Sequence, residues 1–366
     1  MNELLKKVRT MGGEGCVTIT MNTHPTLPGR KSDPAVLKKL VSEAESRLYD
    51  LYDKRLVWSI MENLNRVAGS VAWDNNDRSL VIFANREFGD STRLPVDVSD
   101  RVTIDTAFAT GDIIRAMQQE LSYYILILNR NEARLVEAFN GKAVREFDGE
   151  FPLTNPLFPA DNLEKSMKEG SDNYINEFFN QVDKALWDAV KDARKPILLA
   201  TESRNFDYFM SNTDHPDMVL GYMPVNGDAQ PVHDIVDKAW EAASEMIREG
   251  NIARVSELRE AAGLLTEGLT DIWNAISEGR AATLFVRKGF HQPARIVPNP
   301  DSGDYTVIPT GEAFINEKGV MDDIVDDMIA QTLESGGEVV FVDGDQLEEF
   351  GNLALVARYS LAEARA

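Results

Sequence analysis

A single cysteine, Cys16, stands among 366 residues, which excludes an internal disulfide and a multi-cysteine zinc site. Histidine is almost as scarce. His24, His215, His233 and His291 are the four, and none falls into an HExxH or other recurrent zinc spacing. No hydrophobic run approaches the roughly 20 apolar residues that a membrane span requires. The opening MNELLKKVRTMGGEG lacks the apolar stretch of a signal peptide, so a cytoplasmic protein with no membrane partner is expected. No GxSxG elbow occurs, and Cys16 lies in an apolar run where burial would make its thiol inert. What is present is ordinary globular material. Hydrophobic residues make up 43% and charged residues 27%, enough apolar content to exclude wholesale disorder.

Positive charge is the other shortage. Lys and Arg number 38 against 60 Asp and Glu, a formal net charge of −22. The deficit is uneven. Residues 1–120 hold 16 basic and 17 acidic residues, 121–250 hold 13 and 23, and 251–366 hold 9 and 20. Phosphate affinity comes from local Lys and Arg, so contact with a polyanion is expected first in the N-terminal third. Bulk electrostatic binding of nucleic acid is excluded, whereas shape-directed docking through local contacts is not.

The length predicts more than one domain, and the pattern along the chain predicts three α/β domains joined by helical connectors, over 1–119, 120–250 and 251–366. In the first, CVTITMNT, SLVIFAN and RVTIDTAF read as strands. Asp33-Pro34 reads as an N-cap with proline at the first helical position. It precedes Val36, Leu37, Leu40, Val41, Ala44, Leu48 and Leu51 at helical spacing. In the second, YYILILN, ARLVEAF and AVREF form a hairpin meander with a turn at Asn140-Gly141. A helix from about 173, the buried strand KPILLATES, the helix SRNFDYFMSN, the strand MVLGYMP and a long helical stretch from about 231 to 263 follow. The third alternates LTDIWNAISEG, AATLFVRKG, DDIVDDMIAQTLESGG, EVVFVDG and ALVARYS between helix and strand, another α/β layer structure.

Few motifs point to chemistry. Gly12-Gly13-x-Gly15 precedes a strand, whereas phosphate-binding glycines follow one and open a helix, so these glycines read as a turn. Asp322, Asp323, Asp326 and Asp327 are spaced to share a helix face and suit a divalent cation, but acidic residues at a helix start are favoured by its dipole alone. No metal or cofactor is expected. Asp343-Gly344-Asp345 reads as a turn after a strand. The loop MNTHPTLPGRKSDP is richer. Thr23, His24, Arg30 and Lys31 offer hydroxyl, imidazole, guanidinium and ammonium groups suited to phosphate or base-edge contact, stiffened by two prolines; an ordinary polar connector is the plainer alternative.

Taken together, CVTITMNTH and RLPVDVSDRVTID, then YYILILNRNEARLVEAFNGKAVREF, NYINEFFNQVDKAL and KPILLATESRNFDYF, then LTDIWNAISEGRAATLFVRKG and GGEVVFVDGDQLEEFGNLALVARY, resemble the bacterial relatives of archaeal and eukaryotic class I release factors and Pelota, a group that includes Balon-type ribosome hibernation factors. The resemblance implies three α/β domains in a release-factor-like arrangement, the last an α/β/α sandwich that binds a translational GTPase. It also brings a departure. Release factors carry Gly-Gly-Gln on a basic loop before the segment that NYINEFF resembles. Here the interval is PLFPADNLEKSMKEGSD, without that tripeptide and with Lys165 and Lys168 outnumbered by Asp161, Glu164, Glu169 and Asp172. The stop-codon-reading motifs of true release factors are missing from the N-terminal third as well.

The resemblance therefore implies a non-catalytic factor that binds the ribosomal A site, in hibernation or rescue, contacting ribosomal RNA and proteins. On this reading Thr23, His24, Arg30 and Lys31 face the RNA. The loop with Asp161, Lys165 and Lys168 faces the peptidyl-transferase side. Asp343, Asp345, Glu348 and Glu349 face a protein partner, with elongation factor Tu the first GTPase to consider. The alternatives are a hydrolase of peptidyl- or aminoacyl-tRNA working through an unrecognised middle-domain site, and a GTPase-binding adaptor acting off the ribosome.

Overall fold

The run after the Gly12-Gly13 turn alternates side chains across a sheet, as a strand with two covered faces must. In the computed structural model, which describes residues 2–24, 29–74, 76–156, 168–225, 231–261, 263–300 and 303–360, Val17, Ile19 and Met21 of β1 (Cys16–Asn22) enter one apolar cluster and Cys16 enters another. An N-terminal helix that the sequence pattern does not announce, α1 (Asn2–Thr10), precedes it. Then come α2 (Asp33–Leu51), α3 (Lys54–Ser70), β2 (Ser79–Ala84), β3 (Gly89–Leu94), β4 (Arg101–Asp105) and α4 (Gly111–Gln119). The strands form an antiparallel sheet in the order β3-β2-β1-β4. Helices α2 and α3 cover one face, while α1 and α4 cover the other.

Asp33 does not cap α2. Ser32 holds the N-cap position and Asp33 lies inside the helix, its carboxylate used elsewhere. Cys16 is fully buried, and burial pushes its thiol up, while the nearby Asn85 amide pulls it down.

Residues 120–250 form a compact unit of their own. It contains β5 (Ser122–Leu128), β6 (Glu132–Phe139), β7 (Lys142–Glu146), the short β8 (Leu153–Thr154), α5 (Lys168–Val190), β9 (Ile197–Ala200), α6 (Ser203–Asn212), β10 (Val219–Met223) and most of α7 (Val232–Ser256). The sheet runs β10-β9-β5-β6-β7, with β8 beside β6. Strands β5, β9 and β10 are mutually parallel, and β6 and β7 antiparallel. Tyr124, Leu126 and Leu199 face α5 and α6; Tyr123, Ile125 and Leu198 face α7.

The C-terminal third, read from the sequence as separate, packs with the N-terminal third into one compact unit of residues 1–119 and 251–366. It contains β11 (Leu265–Thr266), α8 (Leu269–Ser277), β12 (Ala281–Arg287), β13 (Ala294–Pro298), β14 (Tyr305–Pro309), β15 (Val320–Met321), α9 (Ile324–Glu334), β16 (Glu338–Val342) and β17 (Leu353–Ala357). The main sheet is β11-β17-β12-β16, with α8 and α9 on one face. The other face is covered by the end of α7, the 3-10 turn Glu257–Glu260 after it and the 3-10 stretch Gly344–Phe350, through Val255, Leu258, Leu347 and Phe350. This is an α/β/α sandwich with one thin layer. A separate antiparallel sheet, β14-β13-β15, is an insertion that the sequence reading does not separate from loop. Among the described residues no helix is long and apolar enough to cross a membrane.

Candidate functional site

The loop between β1 and α2 is organised around a buried carboxylate. Asp33 Oδ2 accepts from the His24 backbone N–H at 2.9 Å and from Asn76 Nδ2 at 3.0 Å. Asp33 Oδ1 lies 2.7 Å from His24 Nδ1. An ionised carboxylate only accepts, so Nδ1 carries the proton and Nε2 is left for an outside partner. The His24 side chain is 55% exposed and that of Asp33 only 1%. Asn76 in turn donates to the His24 carbonyl at 3.1 Å and accepts from Arg93 at 2.8 Å. Gly29 closes the loop against the imidazole: a Cβ there would sit 2.6 Å from His24 Cγ, so a side chain at position 29 would displace the ring.

Of the four residues proposed from the sequence for RNA contact, three are at the surface. Thr23 is not: it is buried, its hydroxyl donates to the Asp77 carbonyl at 2.7 Å, and its N–H bonds the Arg78 carbonyl at 2.7 Å. Its role is to tie the loop to the turn before β2. Arg30 and Lys31 share a 3-10 turn, Gly29–Lys31. Arg30 reaches the Asp74 carbonyl at 3.3 Å, and Lys31 is exposed. The site presents an oriented imidazole beside two cations, a set that can take phosphate oxygens or base edges. Asn76 and Arg93 belong to it and escaped the sequence reading; the polar turn preceding β2 was the available signal for Asn76, and Arg93, in β3, had none.

Asp161 and Lys165 lie outside the described residues. Lys168 opens α5, and its side chain is outside them too. Asp343 follows β16 and forms an ion pair with Lys288 at 2.7 Å, which cancels part of the charge it would offer a partner. Glu348 and Glu349 are exposed in the 3-10 stretch; the Asp345 side chain lies outside the described residues. No histidine is paired with another among the described residues. The His215 ring stacks on Trp187 at 3.6 Å, and His291 faces Glu312 at 3.2 Å.

The aspartates at the start of α9 do more than complement the helix dipole. Asp323 does cap α9, accepting from the Val325 N–H at 3.1 Å, but it also pairs with Arg101 at 2.9 Å. Asp322 pairs with the buried Arg47 at 2.6 Å and accepts from the Ile104 N–H at 2.7 Å. Asp326 accepts from the Thr110 N–H at 2.9 Å and from the Gly111 N–H, capping α4 from across the unit. Burial raises all three carboxyls, with Arg47 and Arg101 pulling Asp322 and Asp323 back down. They form a clasp between the N-terminal and C-terminal lobes of the first unit.

Against known proteins, one stretch of the chain, less than half of it, matches a family model. Residues 122–280 match the bacterial archaeo-eukaryotic release factor family 3. The segments from YYILILN through KPILLATESRNFDYF that carry the resemblance to the release-factor middle domain fall inside this range. The N-terminal segments and GGEVVFVDGDQLEEFGNLALVARY fall outside it, and LTDIWNAISEGRAATLFVRKG straddles its end. The chain is also similar to the archaeal translation termination factor aRF1, at 15% identity over 98% of this chain and 97% of that one, with a TM-score of 0.25. The Archaeoglobus fulgidus Pelota structure is 14% identical over 77% and 80% with a TM-score of 0.32. A ribosome-bound archaeal Pelota is 12% identical over 98% and 94% with a TM-score of 0.39. No curated protein matches.

Proposed function

We propose that this chain is a non-catalytic translation factor that binds the ribosomal A site, in hibernation or rescue. The observation that carries the reading is the release-factor family match over 122–280 in a chain whose residues 156–172 contain no Gly-Gly-Gln. The stretch that matches the family lacks the tripeptide expected to place water at the peptidyl ester. The partner is the ribosome, and a translational GTPase such as elongation factor Tu is a second partner, met through the acidic C-terminal third at Glu348 and Glu349.

The test is fractionation of growing and starved cells on a sucrose gradient, together with a peptide-release assay on ribosomes carrying peptidyl-tRNA. The protein should travel with monosomes, and release should stay at the spontaneous rate. Absence from every ribosomal fraction would point to the off-ribosome adaptor, and rapid stop-codon-independent release to a hydrolase.

Within this reading, the surface around His24 supplies the RNA contacts. Replacing Arg30 and Lys31 together by glutamate should weaken ribosome binding and reduce the slope of log affinity against log salt by about 1–2, since fewer counterions are released. An unchanged slope in the folded double variant would take the loop out of the interface.

A further inference from the structure

In the middle unit, β5, β9 and β10 are parallel and end side by side at Leu128, Ala200 and Met223. Thr201 stitches these ends together: its hydroxyl donates to the Leu128 carbonyl at 2.6 Å and its N–H to the Met223 carbonyl at 3.0 Å. Beyond them opens a cavity of about 400 Å³. Carboxyl ends of parallel strands are where open α/β sheets bind small ligands.

Two independent features of this cavity call for an occupant. The first is the start of α6, a helix of 10 residues whose N-cap, Glu202, makes no side-chain capping bond, so its first turn faces the cavity with the positive end of the helix dipole uncapped. The second is Asn205, which lines the cavity and is only 3% exposed. Its Oδ1 is buried without a hydrogen-bond partner among the described residues, a costly state unless something supplies a donor.

We propose that this cavity binds a nucleoside monophosphate unit, either a free mononucleotide or the 3′-terminal nucleotide of an RNA. The phosphate lies at the first turn of α6 beside the Arg130 guanidinium. The base lies against Ile127 and Val225, with an amino or imino group donating to Asn205 Oδ1; a carboxamide matches a base edge in this way. The Glu202 carboxylate accepts from a ribose hydroxyl, as acidic residues do in other α/β nucleotide sites. Glu202 also repels a bare anion, so the ligand must bring hydroxyl and base donors along with its phosphate. The surrounding deficit of positive charge, 13 basic against 23 acidic residues over 121–250, favours a single nucleotide held by local contacts over a long phosphate backbone.

The test is calorimetric titration of the full-length protein, without ribosomes, with AMP, GMP, CMP, UMP, adenosine and inorganic phosphate. Two short single-stranded RNAs, one with a free 3′-hydroxyl and one blocked there, then compete with the best mononucleotide. At least one mononucleotide should bind tenfold or more tightly than either adenosine or phosphate. Arg130→Met should weaken the mononucleotide at least tenfold and leave adenosine unchanged. Asn205→Leu should abolish preference among bases while leaving the melting temperature equal or higher, because it removes a buried unpaired acceptor.

Competition by the free-ended RNA alone identifies an RNA terminus as the source, and competition by neither RNA identifies a free nucleotide. Failure of every mononucleotide and both RNAs to bind at millimolar concentration would overturn the proposal. Binding that survives both substitutions would do the same, showing that Asn205 is satisfied by ordered water. Because no ribosome is present, this outcome and the ribosome test stand or fall separately.

Discussion

Replacing Arg47 by methionine is expected to destabilise the unit of residues 1–119 and 251–366 by about 3–5 kcal/mol at neutral pH, the usual cost of removing one partner of a buried ion pair. Arg47 is 5% exposed, and its guanidinium is shared among three acceptors: Asp322 Oδ2 at 2.6 Å, the Val102 carbonyl at 2.7 Å and Asn316 Oδ1 at 3.0 Å. Methionine fills the volume but donates nothing, so the buried Val102 carbonyl loses this donor and the Asp322 carboxylate loses its counter-charge. The local readout is amide exchange over β4 and the start of α4. There the Ile104 and Thr110 N–H groups bond to Asp322 and Asp326, and their protection should fall with the lobes' docking. Adding Asp322→Asn to the methionine variant should recover part of the loss, since the stranded charge is then gone. A single variant as stable as the parent would show that the lobes dock through the apolar contacts of Ile114 and Ile329 alone.

Arg47 also marks the limit of what the sequence could reveal. Its helix is legible from Leu37, Leu40, Ala44 and Leu48 at helical spacing, all of which are buried. Nothing local distinguishes Arg47 from a solvated arginine, because its partner Asp322 lies 275 positions away. The same holds for Asp33. As an acidic residue before proline it fits a helix cap, and only the fold places Asn76 and His24 around it. The small sheet β14-β13-β15 was missed for another reason. Its strands ARIVP and YTVIP have five residues each and end in proline, which reads as loop unless the two are paired across the turn. The α/β layering of the middle unit was legible because apolar runs between amphipathic helices have few other solutions, whereas the parallel pairing of β5, β9 and β10 was not read. Its cavity was not, because Asn205 looks like any polar residue in a first helical turn.

The largest pH effect should come from the same clasp, and its sign opposes ordinary acid unfolding. Asp105 is raised from 3.8 to about 6, first by burial and then by the Asp322 and Asp323 carboxylates. Asp326 is raised to about 7 by burial and Asp323, against the Thr110 and Gly111 N–H groups. Asp327 is raised to about 8 by burial, then by Asp105, Asp326 and Asp323, with Glu334 adding to the repulsion. Arg47 from α2 and Arg101 from β4 are the cations facing this group. Between pH 4 and 8 the folded chain therefore holds protons that the unfolded chain has released, and its stability must fall as pH rises across that window. The melting temperature of the full-length protein should be higher at pH 5.5 than at pH 8. Asp327→Asn isolates the effect, since asparagine keeps the shape and removes the charge. At pH 8 it should stabilise by about 2 kcal/mol, less than the full displacement implies because the side chain is only partly buried. For a unit of this size that is about 4–8 °C in Tm. At pH 5 the variant and parent should melt together, because the parent's carboxyl is then protonated. A variant no more stable than the parent at pH 8, or a parent whose stability rises from pH 5.5 to 8, would mean that these carboxylates are ionised in the fold and that Arg47 and Arg101 compensate them fully.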